Sequence, residues 1–253
     1  PLTFTLNGVP LDNLRAIFIT HFHSDHISAI GDFNLNSWVA GRPAPLEIVG
    51  PTGIDRVVNG FNEAYALDRG YRVAHHGAEM LPPEVGLMTS RTISTGVILE
   101  KNGLKVTAFP VDHKPIEPAV GYRFDYKGRS VVISGDSNVV ESLRVAAQDV
   151  DLLLHDALSL PIIQAMEAAA RNNGSRMEKI LFDIQDYHAS INSVIALDEN
   201  TGIKQVALYH LVPAPRNFLL EKIFKRDLPA GFIVTEDAMI FDMPANSEEI
   251  VVR

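Results

Sequence analysis

The chain has 253 residues, 46% hydrophobic and 21% charged, the balance of an ordinary globular protein. A formal charge of −9 argues against a broad nucleic-acid face, which needs a basic surface. No apolar run approaches the roughly 20 residues of a membrane helix, and the absence of cysteine excludes disulfides, thiolate metal sites and a cysteine nucleophile.

At this length a single domain over residues 1–253 is the simpler expectation. The chain opens Pro1-Leu2-Thr3-Phe4 without Met, so an N-terminal piece is expected to be missing, with or without a targeting signal. A soluble protein of either the cytoplasm or the periplasm is compatible with the lack of cysteine.

In chain order, Ala16 to Thr20 reads as a buried strand. It runs into His21-Phe22-His23-Ser24-Asp25-His26, where four side chains able to bind a metal fall within six residues. Ile27 to Asp32 could open a helix. Leu46 to Gly50 is a short strand that turns at Pro51-Thr52-Gly53 into a helix from Ile54 to about Leu67. Gly70 to Thr95, with Tyr71, His75, His76 and Met80, reads as a loop that shapes a pocket. Strands at Val97–Glu100 and Leu104–Pro110 meet at Asn102-Gly103, a hairpin signal because both residues tolerate positive φ. Gly121–Tyr126 and Ser130–Ser134 repeat the pattern around Lys127-Gly128.

Helices are then predicted over 139–148, 160–173, 189–201 and 215–226, with strands at 151–155 and 205–209. A closing hairpin-like pair is expected from Phe232–Thr235 and Ala238–Asp242. Strands first, then strands alternating with helices, suggest an α/β fold of two sheets packed together with helices outside. Arg216, Lys222, Lys225 and Arg226 on the last helix read as a solvated face.

His21 and His23 are two apart, so in extended chain they face one side and can clasp one cation. Asp25 and His26 follow as the chain turns and can address a second. Imidazole and carboxylate suit Zn²⁺ best, with Mn²⁺ or Fe²⁺ as substitutes. His113, Asp136 and His210 each follow or close a predicted strand, which makes them the remaining ligands. Gly135 permits close backbone approach, and the Asp136 carboxylate could bridge two metals. His188, ahead of a helix, is proposed as a general acid oriented by Asp156. His155 reads as structural, and His75 and His76 as loop residues near substrate.

His21-X-His23-X-Asp25-His26, then His113, Asp136 and His210 in that order, resembles the metallo-β-lactamase superfamily. Gly121-Tyr122-Arg123, Ser134-Gly135-Asp136-Ser137, His155-Asp156-Ala157 and His188-Ala189-Ser190 resemble its ribonuclease Z and arylsulfatase-like branch. The resemblance runs from about residue 12 to 242. It implies an αββα four-layer sandwich of two mixed sheets and a dinuclear zinc site. His21, His23 and His113 would bind one ion, Asp25, His26 and His210 the other, and Asp136 would bridge.

The resemblance also implies hydrolysis of an anionic ester by a hydroxide held between ions about 3.5–4 Å apart. Departures from the branch shape the substrate expectation. The glycine-rich opening strands of the family are almost wholly missing. Ribonuclease Z carries a basic, glycine-rich arm that grips tRNA between the Gly-Tyr-Arg and Gly-Asp segments, and here only Phe124 to Ile133 separates them. Asp156 stands where ribonuclease Z enzymes carry Glu.

A small phosphodiester or sulfate ester is therefore the first expectation and tRNA 3′ processing the second. A lactone fits the ligands but is not singled out. β-Lactam hydrolysis ranks lower, because Asp136 stands where dinuclear lactamases have Cys or Ser. A non-catalytic scaffold ranks below an enzyme, since all seven ligand positions are kept. No membrane partner is expected, and a homodimer is left open.

Overall fold

The computed structural model describes residues 8–199, 201–226 and 228–253. Its internal contacts divide into two compact units, Pro1–Ser94 and Thr95–Arg253.

In the first unit, β1 (Ala16–Phe18), β2 (Leu46–Gly50) and β3 (Met88–Thr92) form a parallel sheet in that order. Parallel neighbours need crossovers. These are supplied by α1 (Ser24–Ile27) and α2 (Ile30–Val39) between the first pair, and α3 (Ile54–Ala64) and α4 (Ala66–His76) between the second. Leu46, Ile48 and Val49 are fully buried, and Leu46 and Ile48 pack with Ile19, Ile30, Ile54, Val58 and Met88 as one core. The stretch expected as a loop over 70–95 is instead helix through His76 and strand from Met88. Asn62 explains how the strand is held: its Nδ2 donates to the Met88 carbonyl at 2.9 Å and its Oδ1 accepts from the Met88 amide at 3.0 Å.

The second unit carries a seven-stranded sheet in the order β10-β9-β8-β7-β6-β5-β4. Its strands are β4 (Gly96–Lys101), β5 (Leu104–Pro110), β6 (Val120–Tyr126), β7 (Arg129–Ile133), β8 (Leu152–Leu158), β9 (Gln205–Val212) and β10 (Phe232–Val234). β4 to β7 run antiparallel, with tight turns joining β4 to β5 and β6 to β7 and a longer stretch, 111–119, joining β5 to β6. Asn102, Gly103, Lys127 and Gly128 all take positive φ in the two tight turns, where the sequence predicts hairpins. β7 to β10 run parallel. Leu152–Leu153 and Val206–Ala207–Leu208 are buried, as continuous apolar runs in a parallel sheet should be.

The crossovers include α5 (Glu141–Ala146), α6 (Leu160–Asn172), α7 (Met177–Asp183) and α8 (Ile191–Asp198), and α9 (Phe218–Lys225) leads to β10. Helix α7 was not expected from the sequence. The helix predicted over 189–201 ends at Asp198, and its position 200 lies outside the described residues. The expected closing hairpin is also corrected. β10 adds parallel to β9, whereas β11 (Phe241–Asp242) pairs antiparallel with β12 (Val251–Val252).

Candidate metal centre

The hexapeptide lies in the first unit. His21 is fully buried after β1, and Thr20 Oγ1 lies 3.1 Å from its Nδ1. Its Nε2 is 3.2 Å from Nδ1 of His23, the extended N-cap residue of α1. Two imidazole nitrogens on one tetrahedral Zn²⁺, with bonds of about 2.0–2.1 Å, stand about 3.3 Å apart, so this pair fits a cation. The His26 ring lies 4.1 Å from that of His21, and its Nε2 is 3.5 Å from Oδ2 of Asp25. Asp25 is exposed in the first turn of α1.

In the second unit the donors gather where β5, β7, β8 and β9 end, the edge at which open α/β sheets present ligands. His113 is buried beyond β5, and its Nδ1 is 2.9 Å from the Tyr187 carbonyl. A carbonyl only accepts, so Nδ1 carries the proton and Nε2 is the basic atom. That Nε2 is 3.9 Å from Oδ2 of Asp136. Gly135, at φ +67°, turns the chain out of β7 and leaves Asp136 buried.

His210 comes from a β-bulge. Asp156 pairs with Tyr209 and Ala157 with Leu211, so His210 is the extra residue, at φ +43°. A bulge re-aims a side chain at the expense of local strain. Here it brings Nε2 to 3.5 Å from Oδ2 of Asp136. Donor atoms of Asp136, His188 and His210 all lie within 4.8 Å of one another. The imidazole and carboxylate set fits a borderline divalent cation such as Zn²⁺.

Behind these donors sits a buried dyad. His188 Nδ1 donates to Asp156 Oδ2 at 2.9 Å. Oδ1 of Asp156 accepts from Ser137 N–H at 3.2 Å and lies 3.0 Å from His155 Nδ1. Complete burial alone would push the Asp156 pKa up, but the hydrogen bonds and charges of His155 and His188 outweigh it and hold it below the usual carboxylate range. His188 reaches Asp156 because Leu158 N–H bonds the Ala189 carbonyl at 2.8 Å, laying the segment beside the end of β8. With Nδ1 committed, Nε2 is the nitrogen His188 can present to a substrate. His155 is fully buried, and its Nε2 has no hydrogen-bond partner among the described residues.

Two tyrosines were not singled out by sequence. Burial, with the nearby charges of Asp136 and Asp156, pushes the Tyr209 phenol up. Burial, then the charges of Asp183 and Asp136, raises Tyr187. Adjacency to His210 and His188 was the available signal for both. His75 and His76 are exposed at the end of α4, not in a loop. On α9, Lys225 is paired with Glu221 and Glu236, and Lys222 lies 4.3 Å over the Phe218 ring, so half of that basic cluster is engaged locally.

A family profile described as "Beta-lactamase superfamily domain" matches residues 4–211. The chain belongs to the metallo-β-lactamase superfamily. Among curated proteins, a ribonuclease Z of Mycobacterium bovis is 34% identical over 210 residues, which cover 82% of this chain and 70% of that protein. Among solved structures, the metallo-β-lactamase fold protein YhfI of Bacillus subtilis superposes with a TM-score of 0.60 at 16% identity, covering 93% of this chain and 80% of the other. A diphosphatase of the PhnP family superposes with a TM-score of 0.59 at 18% identity, covering 92% and 72%. The α/β architecture of this superfamily member is thus the metallo-β-lactamase fold, and its activity is that of a metal-dependent hydrolase.

Proposed function

We propose that this superfamily member hydrolyses small anionic esters, a phosphodiester or sulfate ester, with two Zn²⁺ ions. In this reading His21, His23 and His113 hold one ion, Asp25, His26 and His210 the other, and Asp136 is shared. Such a pair of cations would supply charge stabilisation at the substrate's oxygens and a water of lowered pKa.

The protein's own residues supply the rest. Hydrolysis forms a bond from water oxygen to phosphorus or sulfur and breaks the bond to the ester oxygen. The attacking water gives up a proton to solvent. The departing oxygen takes a proton from His188 Nε2, and His188 is reprotonated from solvent. Asp156 holds the ring in one orientation throughout and stabilises its charged form.

The observation that carries this reading is the buried Asp156–His188 bond at 2.9 Å, with a His188 donor atom gathered beside Asp136 and His210. It supports proton delivery at the same edge that carries the ligand set.

A second reading, tRNA 3′ processing, is favoured by the 34% identity to a ribonuclease Z. Against it, β6 and β7 are joined by the tight turn at Lys127-Gly128, where that branch inserts its tRNA-gripping arm. Metal analysis and a panel of bis-aryl phosphate, aryl sulfate, a lactone, a chromogenic β-lactam and precursor tRNA separate the readings. Bis-aryl phosphate or aryl sulfate should turn over fastest. Cleavage of precursor tRNA far above both would replace the first reading with the second.

A further inference from the structure

Beside His113 and His188, wholly within the second unit, lies a depression of about 390 Å³. That is within the size range of small-molecule sites. Pro115, Ile116, Ile180 and the Tyr187 ring give it apolar walls, and Lys114, Asp183 and Asp186 a charged rim. Two of its residues adjoin the proposed machinery in sequence: Lys114 follows His113, and Tyr187 precedes His188. The Tyr187 ring sits 5.1 Å from the His113 ring and 4.9 Å from the His188 ring, and its carbonyl fixes the His113 tautomer.

A general acid marks the side from which a leaving group departs, since it must reach the ester oxygen as that bond breaks. The bond to Asp156 faces His188 Nδ1 inward, so the proton is delivered on the Nε2 side. A group leaving past His188 meets the Tyr187 ring, 4.9 Å from the His188 ring, which is one wall of this depression. We infer that it is the leaving-group subsite, shaped for a flat aromatic alcohol whose polar edge meets the rim. The inference rests on the hydrolase reading and assigns a side to it.

The walls suit an aromatic ring. Ile180 is 48% exposed, so its side chain offers unfilled apolar surface. Asp183 is engaged by Lys179 on the same helix, which leaves Asp186 as the rim acceptor for an N–H or O–H on the ring. Asp186 is held in place through its backbone, whose carbonyl accepts from Asn138 Nδ2 at 2.6 Å. Lys114, also on the lining, supplies a positive charge next to His113 in sequence.

Ile180→Trp fills the depression from an exposed position, so folding should survive. Phe182→Trp, on the same helix but lining a different depression, is the control. Two phosphodiesters are compared: one with a nitronaphthyl leaving group and a methyl retained group, the other with a nitrophenyl leaving group and a naphthylmethyl retained group. Ile180→Trp should raise KM for the first roughly tenfold relative to the second, and Phe182→Trp should change neither.

Calorimetric titration of free nitronaphthol gives a readout without turnover. Wild type and Phe182→Trp should bind it, and Ile180→Trp should not. Equal KM changes for both esters, or unchanged nitronaphthol binding in Ile180→Trp, would overturn the subsite while leaving the hydrolase reading intact. Failure of metal-loaded wild type to turn over any ester would instead refute the hydrolase reading beneath it.

Discussion

Asp156→Asn separates orientation of the proposed acid from every other property of the site. The change keeps shape and replaces one carboxylate oxygen by an amide NH₂. On the Oδ1 side the remaining carbonyl still accepts from Ser137 N–H, 3.2 Å away, and faces His155 Nδ1 at 3.0 Å. On the other side the NH₂ meets His188 Nδ1, which now donates at 2.9 Å, so two donors confront each other. His188 must then turn away or move its proton to Nε2 and accept through Nδ1.

One charge-assisted hydrogen bond is lost in a buried setting, so unfolding free energy should fall by about 2 kcal/mol in urea melts. Correct protonation by a general acid is worth about 10²–10⁴ in rate, so kcat should drop roughly 10²-fold on esters of poor leaving groups. Nitrophenyl esters, whose leaving oxygen needs little protonation, should lose less than about tenfold. The assay is steady-state kinetics across a series of leaving-group pKa values, with bound metal measured on each sample. Equal loss along the series with full metal content would refute the orientation argument, because the dyad would then be acting on something other than proton delivery.

Asp136→Ala removes the buried carboxylate that faces both His113 and His210. Metal stoichiometry by mass spectrometry should fall below two per chain and turnover should be lost with it, whereas retained stoichiometry would remove Asp136 from the ligand set. Gly121→Ala places a Cβ 2.4 Å from the Phe109 ring and 2.9 Å from the Ile133 carbonyl, so overpacking should cost about 1–3 kcal/mol, read as a lowered Tm. Asp151 accepts from Ser130 N–H at 2.7 Å and Lys204 at 3.1 Å, and lies 3.6 Å from Arg129. Burial raises its pKa, but those partners outweigh burial and leave it below the usual range. Its stabilisation is therefore present above the unfolded value of about 3.9 and lost as pH falls through the lower folded value. Asp151→Asn should be less stable at pH 7 and show a shallower loss over the acid limb in pH-dependent melts.

Much of the strand framework was legible because it rests on local physics. Leu46–Gly50 and Leu104–Pro110 were predicted with their observed bounds, since short apolar runs end at residues that favour turns. The two hairpins followed from Asn102-Gly103 and from Gly128, residue types that tolerate positive φ, whereas Lys127 takes positive φ without its type announcing it. Helix α4 was missed for a different reason: its polar and apolar side chains do segregate at helical spacing, but Gly70 and the downstream Pro82-Pro83 read as loop signals. Helix α7 buries only Leu181 and is too short for periodicity to register. The pairing of β11 with β12 is a long-range match that neither segment announces.

The same division runs through the site. Which side chains can bind a cation or carry a proton is a property of residue type, and nine histidines in 253 residues made that set short. The hexapeptide's close spacing also made His21 and His23 neighbours before any fold was known. What folding alone decided was convergence. Asp156 and His188 are 32 residues apart and meet through a backbone bond between Leu158 and Ala189. His210 turns toward Asp136 only because a bulge against β8 interrupts the alternation of β9. Donor chemistry is carried by each residue by itself, whereas the direction in which a donor points depends on pairing between distant strands, and that is set by the packing of the whole sheet.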